Sequence, residues 1–552
     1  MRALSRRTLL LVGLVWIVFL SKAVFYASVL PLWEGYDEFS HFDFVQYVAI
    51  NRQLPTVQAN GSREISESLR VAPLPWLQRR SHPGGLSHDD FWQRPEAERE
   101  VRLQRLRSLP VEWAREPADP RRPLYEAQQP PLSYWLFALP YRGLALQPLL
   151  ARVWILRLAA SLIASLTIPL GFLLARLVFQ DDRWSLAAIL VAAAMPELML
   201  DVVRVSNEPL AIALATACVW VLLLLSREPP RANLIAVAFG CLLGAALLTK
   251  AYFLALFPAM LGMYAVLWFR DKKLSRTLLA QMIMIVSLAL AIAAWWYARA
   301  FALTGTFTGQ QEDIAARNSA VSVIHGILSA QWFRIADFTL MSHIWLGGWS
   351  FLVVRSWMYR SIECLFLVAL FGIARRLMAR SRDEVGRSTL LVLLLPQFFL
   401  WLGLAYHALA SFRSHGALGT FGYYAYCFVI PETICLILGL RAGLPRSMER
   451  FILPLLVVCF SALELYAVNI TLLPYYAGFT AHSSRGSVPA LPFSQLLNGG
   501  AHQLFERLSA GKASVVSVEV IFILWLLFML VILAQVVVSF LPPVSKMTKN
   551  QL

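Results

Sequence analysis

The sequence has little of what a water-soluble protein needs. Only 15% of its 552 residues are charged, whereas soluble globular domains carry roughly 25%. All six cysteines lie within apolar runs and none has a C-x-x-C spacing, so we expect neither a disulfide framework nor a zinc site. P-loop, G-x-G-x-x-G and Ser/His/Asp patterns are also missing, which removes the usual signatures of nucleotide binding and serine hydrolysis.

Long apolar runs are what the sequence does have. Hydrophobic residues make up 58% of the chain, and the mean hydropathy is +0.60. These values predict an all-α, polytopic bundle of transmembrane helices. At roughly 20 residues per span, we count about 12 spans. They fall near residues 8–30, 153–178, 184–200, 208–226, 232–248, 251–269, 277–302, 357–377, 388–410, 421–441, 450–472 and 516–540.

The formal net charge of +16 would suggest a nucleic-acid partner for a soluble protein, but here it has another explanation. Much of it lies in short loops between predicted spans, such as 227–231 and 375–382, and such loops face the cytoplasm. We therefore expect cytoplasmic termini and no nucleic-acid partner. The apolar run ending at Leu30 is followed by no small-residue cleavage site, which predicts an uncleaved first span.

This topology divides the chain into alternating membrane and loop parts. The predicted parts are the first span 1–30, a long external loop 31–152 with interfacial helices, a transmembrane core 153–302, an external loop 303–356, transmembrane helices 357–472, an external loop 473–515, and the last span with a cytoplasmic tail 516–552. The inward loops are short and the outward ones long, which predicts that the working face lies outside.

The long first loop exceeds the length of a plain connection, and it contains three predicted helices. The first begins at Ser40, and the second covers roughly 88–108 with Pro95 near its start. The third covers 132–146 after Pro130 and Pro131, and its apolar run of about 10 residues favours an interfacial helix over a span. If 132–146 instead crosses the membrane, the orientation of everything after it inverts.

Two adjacent carboxylates, Asp37 and Glu38, follow directly on the first span. Ser40 and Asp43 have the spacing of a capping box, so the acids are predicted to lie at the membrane surface where an amphipathic helix begins. His41 lies in the same stretch and is a candidate substrate-binding residue. The alternative interpretation is an ordinary polar loop after a span.

Two further charged sites lie near predicted span ends. Glu208 lies in an Asn-Glu-Pro turn, with Asp201 and Arg204 shortly before it. An ionisable residue near a span is a functional candidate by default, and Glu208 and Arg204 are candidate substrate-binding residues. A solvated turn that opens the next helix is the alternative. Lys250 interrupts an apolar run at a tight hairpin, where its charge could bind a lipid phosphate or simply reach the membrane surface as a snorkelling lysine.

Polar residues with weaker signals complete the candidates. Glu126, Gln128 and Gln129 precede the third loop helix and could hydrogen-bond sugar hydroxyls, close a cavity or only cap a loop. Arg413 and Tyr423 lie near a late predicted span, where aromatic groups are most often interfacial anchors.

The order of these motifs resembles the GT-C superfamily of integral-membrane glycosyltransferases. The outward Asp-Glu pair, the Pro-Pro-Leu-x-Tyr-Trp helix, the Asn-Glu-Pro turn, the Thr-Lys hairpin and a Tyr-rich late span carry the resemblance. The chain looks most similar to bacterial lipid A aminoarabinose transferases and protein O-mannosyltransferases. Many relatives read Gly-Arg-Tyr in the late span, where this chain has Gly422-Tyr423-Tyr424. An arginine acting there is therefore in doubt unless Arg413 substitutes.

The resemblance implies a reaction and roles for residues. The donor is a sugar on a polyprenyl phosphate, and the acceptor is a lipid, glycan or protein at the outer face of a bacterial inner membrane. Asp37, or failing it Glu38, matches the catalytic carboxylate, Glu208 a second acidic position, and Lys250 a position that binds the donor phosphate. Relatives vary in metal dependence, so a divalent metal is neither implied nor excluded. The competing classes are a transporter or lipid flippase, whose ionisable groups usually lie near the midplane in repeated halves, and a non-catalytic assembly protein.

Overall fold

The chain folds as a helical bundle capped at one end by loop helices. The computed structural model describes residues 4–77, 82, 84–118, 120, 122–227, 229–271, 276–309, 320–378, 386–416, 419–484, 486–491 and 500–540. Within these residues the named strands are β1 (Pro73–Leu74) and β2 (Leu86–Ser87), which pair in parallel. Almost all other regular structure is helical.

The first half of the described chain contains fourteen α-helices. They are α1 Arg6–Val29, α2 Glu38–Asn51, α3 Arg63–Val71, α4 His88–Trp92, α5 Glu96–Arg107, α6 Leu132–Leu144, α7 Leu149–Ser165, α8 Thr167–Phe179, α9 Asp182–Ala194, α10 Pro196–Val203, α11 Glu208–Leu225, α12 Ala232–Leu247, α13 Leu256–Asp271 and α14 Arg276–Thr304. Short 3-10 turns at Val111–Ala114 and Ala251–Ala255 lie between them.

The second half continues with nine described α-helices. They are α15 Ala320–Ser329, α16 Trp332–Ile344, α17 Ser356–Met378, α18 Arg387–His415, α19 Val429–Gly443, α20 Ile452–Tyr466, α21 Leu473–Tyr476, α22 Ala501–Ser509 and α23 Val518–Ser539. Tighter 3-10 segments occur at Gly348–Ser350, Gly422–Phe428 and Arg446–Phe451, and a π-helical turn occurs at Ala467–Leu472.

Nine helical segments of the described chain are long and apolar enough to cross a membrane, or ten if one bent pair is a single span. The chain is thus an integral, multi-pass membrane protein. The count of about 12 from the sequence stays a prediction for the other segments. Three predicted spans are not among the nine. Helix α12 is only 16 residues long, and the segment predicted as 184–200 is bent. Helix α17 is long, but it is not apolar enough to be counted.

Helix α17 nevertheless packs into the bundle through small residues. A Cβ on Gly439 would lie 2.7 Å from the backbone carbon of Ala369, and one on Gly443 would lie 2.8 Å from the Val368 carbonyl oxygen. Glycines four residues apart let two helix backbones approach closely inside a bilayer. The close contact of α17 with α19 is what the predicted span at 357–377 requires.

The bent pair α9 and α10 places charged residues inside the bundle. The two helices meet at an angle of 69°, and Pro196 occupies the first position of α10. Proline cannot donate a backbone hydrogen bond to the preceding turn, so a helix breaks before it. Every residue of α10 is buried, including Glu197 and Asp201.

Two details of the first loop helix differ from the prediction. Helix α2 begins at Glu38, with Asp37 as a left-handed N-cap that makes no side-chain cap bond, so the predicted start and capping box at Ser40 are wrong. Asp43 instead accepts hydrogen bonds from the Ser62 amide at 3.0 Å and from Arg122 at 2.7 Å. Tertiary contacts have replaced the local cap, and both faces of α2 are largely buried.

The other loop helices follow the predicted positions closely. The predicted helix 88–108 is divided into α4 and α5, with Pro95 as the N-cap of α5. Helix α6 has 13 residues, or about 20 Å at 1.5 Å per residue, which is short of the roughly 30 Å hydrocarbon core. Its length suits the interfacial interpretation of 132–146.

Candidate active site

The stretch between α1 and α2 is strained where Asp37 lies. Trp33 and Asp37 both have positive φ angles, 65° and 53°, which is uncommon for residues other than glycine and costs about 1–3 kcal/mol each. Gly35 lies between them and packs closely against Arg204. A Cβ on Gly35 would come within 2.7 Å of the Arg204 Cβ, so the position has no room for a side chain. Asp37 is half-buried while its neighbours Tyr36 and Glu38 are buried.

Glu38 is fully engaged inside the protein. Its two oxygens accept hydrogen bonds from Arg157 at 2.8 and 2.5 Å, and Oε1 also accepts from the Val205 amide at 3.1 Å. Arg157 in turn donates to the carbonyls of Leu30 and Pro31 at the end of α1. Glu38 therefore joins the first span to the segment after α10, whereas Asp37 keeps partial exposure.

Arg204 is the cation bonded to the residue before Asp37. It donates to the Tyr36 carbonyl at 2.5 Å and to Asp201 Oδ1 at 2.6 Å, and lies 4.0 Å from Glu208 Oε1. Although burial lowers the pKa of Arg204, the carboxylates of Asp201, Glu208 and Asp37 contribute to a net increase above its ordinary value. The guanidinium is thus charged and held in one place by its surroundings.

Lys250 and Glu208 form the second ion pair of the site. Lys250 Nζ contacts Glu208 Oε1, and the Tyr252 hydroxyl donates to Glu208 Oε2 at 2.9 Å. The Lys250 side chain is 13% exposed while Glu208 is completely buried. We refer to Asp201, Arg204, Glu208 and Lys250 as the acid–cation cluster. It joins the Asn-Glu-Pro turn to the Thr-Lys hairpin, which the sequence placed apart.

Aromatic rings surround the two cations. Tyr36 and Tyr423 stack with their ring centres 4.5 Å apart, and the Arg204 guanidinium lies 4.6 Å from the centre of Tyr423. Lys250 lies 4.8 Å from the centre of the Tyr424 ring. Such cation–π contacts stabilise a desolvated positive charge. The arginine beside the late tyrosines is therefore Arg204, whereas Arg413 lies at the end of α18 with its side chain against Gly326 of α15.

His41 faces the cluster from α2 in its neutral form. Its Nδ1 lies 2.7 Å from the Tyr134 hydroxyl, and its Nε2 lies 3.9 Å from Glu126 Oε1. Burial, together with the charges of Arg204 and Lys250, holds the pKa of His41 well below its usual range. These effects outweigh the nearby carboxylate, so His41 is neutral and shares a hydrogen bond with the Tyr134 hydroxyl.

Polar groups from the segment before α6 complete the surroundings. Gln129 Oε1 accepts a hydrogen bond from Asn207 Nδ2 at 3.3 Å, and Gln128 packs against Gly309. Three of the buried acceptors that have no hydrogen-bond partner within the described residues lie here. They are Gln128 Oε1, Asp201 Oδ2 and Asn207 Oδ1. Unpaired buried acceptors are uncommon in proteins and call for an explanation.

Several residues of the site were missed in the sequence. Tyr36 donates to Glu197 Oε1 at 2.6 Å, and Glu197 Oε2 accepts from the amides of Leu346 and Gly347. Glu197 follows Pro196 in an otherwise apolar stretch. A carboxylate in such a stretch is a sign of function, and it could have identified Glu197 from the sequence. In the described part of the chain, no group of three or more His, Cys, Asp or Glu side chains is placed to hold a metal ion.

Comparisons with known proteins give a limited set of relatives. No family model and no curated protein matches the chain. Among solved structures, it is similar to ArnT from Cupriavidus metallidurans, in crystals bound to undecaprenyl phosphate and in the apo state. The identities are 15% and 14% with TM-scores of 0.44, and the matches cover 97% and 96% of this chain and 78% and 77% of the other.

Proposed function

We propose that the protein is a membrane glycosyltransferase that moves a sugar from a polyprenyl-phosphate donor to a hydroxyl group of a lipid, glycan or protein. The observation that carries this proposal is the position of Asp37. It is a strained, half-buried carboxylate whose preceding residue is bonded to Arg204. A second cation, Lys250, shares the carboxylate of Glu208 with Arg204. A base and two fixed cations are the parts that such a transfer needs.

The leaving group requires the cations. As the bond between the anomeric carbon and the phosphate oxygen breaks, negative charge grows on the phosphate, and fixed positive groups stabilise that charge. Lys250 is the better candidate for direct contact, because its side chain is 13% exposed and that of Arg204 only 2%. Glu208 and Tyr252 then orient Lys250, and Arg204 holds the Tyr36–Asp37 stretch in place.

The acceptor requires the base. A hydroxyl group is a poor nucleophile until its proton is removed, and a positioned carboxylate supplies typically 10²–10⁴-fold in rate. We assign this role to Asp37, because both oxygens of Glu38 are occupied by Arg157. The acceptor oxygen bonds to the anomeric carbon as the phosphate leaves from the opposite face, and the proton passes to Asp37. One displacement of this kind inverts the anomeric configuration.

The remaining candidate residues are suited to binding the sugar. Gln128, Gln129, Asn207 and Glu126 lie on the side of the cluster formed by the segment before α6. The unpaired oxygens Gln128 Oε1 and Asn207 Oδ1 could accept hydrogen bonds from sugar hydroxyls. His41, kept neutral, fixes Tyr134 in this wall. We place the site on the outer face of a bacterial inner membrane, in keeping with the predicted basic inward loops.

A product assay tests the proposal against a transporter. Purified protein in detergent, where no gradient exists, is mixed with a radiolabelled polyprenyl-phosphate sugar and candidate acceptors. An enzyme transfers label to the acceptor and leaves polyprenyl phosphate behind. Donor that remains intact in detergent but crosses the bilayer of proteoliposomes would identify a flippase instead.

A further inference from the structure

His343 lies between a backbone carbonyl oxygen and a carboxyl group, which both accept hydrogen bonds while the carboxyl group is ionised. It is buried near the end of α16, with Nδ1 3.1 Å from the Gly422 carbonyl oxygen and Nε2 2.7 Å from Glu432 Oε1. A neutral imidazole has a single N–H, whereas the imidazolium has two. While Glu432 is ionised, both contacts are hydrogen bonds together only when both ring nitrogens carry a proton. The geometry therefore fits a charged His343 paired with the Glu432 carboxylate.

The surroundings favour this charge separation. His343 lies in the last turn of α16 and Glu432 in the first turn of α19, and helix ends of these kinds stabilise a cation and an anion respectively. Burial lowers the pKa of His343, but Glu432, the Gly422 carbonyl and the more distant Glu197 raise it, with a net increase above the usual value. The other rings against His343 are those of Tyr426 and Phe366, which are uncharged.

The pair is part of a set of contacts that fixes the segment before Tyr423. The Gly422 amide donates to Ser342 Oγ at 2.8 Å, and Thr339 Oγ1 donates to the Thr420 carbonyl at 3.0 Å. Gly422 has no room for a side chain, because a Cβ would lie 2.6 Å from the His343 Cβ. Since Tyr423 follows directly, its position against Tyr36 and Arg204 depends on where α16 holds Gly422.

We propose that His343 and Glu432 are positioning residues that hold Tyr423 against Arg204 only while His343 is protonated. The inference rests on the proposed function, because Tyr423 forms a wall of that active site. Neither residue touches the substrate. When His343 loses its proton, one of its two hydrogen bonds is lost. The segment at Gly422 then becomes less fixed, and so does the Tyr423 ring in the wall of the site.

The test compares Glu432→Gln with wild type across pH. The KM for donor in wild type should rise as pH increases through the raised pKa of His343. In Glu432→Gln that rise should move to lower pH, while kcat at low pH stays close to wild type. Glu432→Asp keeps the charge and should restore the wild-type profile. Glu363→Gln, which alters a carboxylate paired with the surface residue Arg360, serves as the matched control and should change nothing.

Unfolding measurements separate failure of the inference from failure of the proposed function. Because the folded-state pKa of His343 is raised, its stabilisation is complete below the unfolded value of about 6.5 and is lost as pH rises through the folded value. Glu432→Gln should shift that loss in Tm to lower pH even if wild type transfers no sugar. Identical pH profiles of Tm in wild type and Glu432→Gln would overturn the inference. No transfer by wild type, with the shift in Tm present, would overturn only the proposed function.

Discussion

Two of the places where the chain buries charge differ in how completely the carboxylates are paired. Inside the bundle, Lys22 Nζ lies 2.6 Å from Glu464 and both side chains are 0% exposed. Lys22 also donates to the Ala193 carbonyl, and the Tyr26 hydroxyl donates to the second Glu464 oxygen. At the loop end, the acid–cation cluster leaves Asp201 Oδ2 unpaired within the described residues. A closed pair stabilises one arrangement of helices, whereas an open cluster has capacity left for a ligand.

A difference in exposure separates Asp37 from its neighbour. Glu38 is bonded on both oxygens and 0% exposed, while Asp37 is half-buried on a strained backbone. The presence of a charged group inside a membrane protein therefore does not by itself identify the reactive one. Access to solvent is the better guide, and the predictions below test that distinction.

The largest effect is expected from Asp37→Asn. The substitution keeps the shape of the side chain and removes its basicity, so turnover should fall by about 10²–10⁴-fold while donor binding is retained. Initial rates and donor affinity in purified protein measure the two quantities. Glu38→Gln is the matched control, and it should lower the Tm more than it lowers the rate per folded molecule. Loss of turnover in Glu38→Gln with a normal Asp37→Asn would exchange the two roles.

The closed pair should respond in stability and not in chemistry. Lys22→Met leaves Glu464 buried without its cation, which typically costs about 3–5 kcal/mol of unfolding free energy. The double variant Lys22→Met/Glu464→Leu should recover most of that loss, because it leaves no unpaired charge. Denaturant unfolding measures both, and transfer activity per folded molecule should stay unchanged. A double variant that is stable but inactive would show that this pair belongs to the reaction.

Lys250→Ala should weaken donor binding with a smaller effect. A hydrogen bond to a charged group contributes about 1.5–3 kcal/mol, which corresponds to roughly 10–100-fold in Kd. Lys250→Arg should retain part of the affinity, because the charge remains but its geometry changes. The variant Lys250→Ala/Glu208→Gln removes the carboxylate that Lys250→Ala leaves behind. Donor affinity equal to wild type in this double variant would return Lys250 to the role of a snorkelling lysine.

Much of the fold and part of the site follow from local sequence patterns. Apolar runs predict the long helices because each run carries its own signal, and Asp37, Glu208 and Lys250 are visible because they interrupt such runs. Arg204 was already a candidate, but its contact with Tyr423 depends on the tertiary fold. Tyr36, Arg157 and Glu197 act through partners more than 100 residues away, and no spacing along the chain shows that. The predicted start of α2 at Ser40 was wrong because Asp43 bonds to Arg122 and to the Ser62 amide instead of capping the helix.

The smallest effect concerns His41, whose titration should oppose that of His343. Burial, Arg204 and Lys250 keep the pKa of His41 well below its usual range, so the unfolded chain takes up a proton that the folded protein does not. The stabilisation is therefore complete above the unfolded value of about 6.5 and is lost as pH falls, by at most about 1.4 kcal/mol per pH unit. His41→Gln keeps a hydrogen-bonding group for Tyr134 but cannot titrate, so its Tm should fall less than that of wild type as the pH falls below about 6.5. His325→Gln, a substitution on the exposed face of α15, is the control and should follow wild type.

Parallel curves for wild type and His41→Gln would mean that His41 takes up a proton inside the folded protein. Glu126, 3.9 Å away, would then outweigh the two cations, and the site would hold a third positive charge beside Arg204 and Lys250.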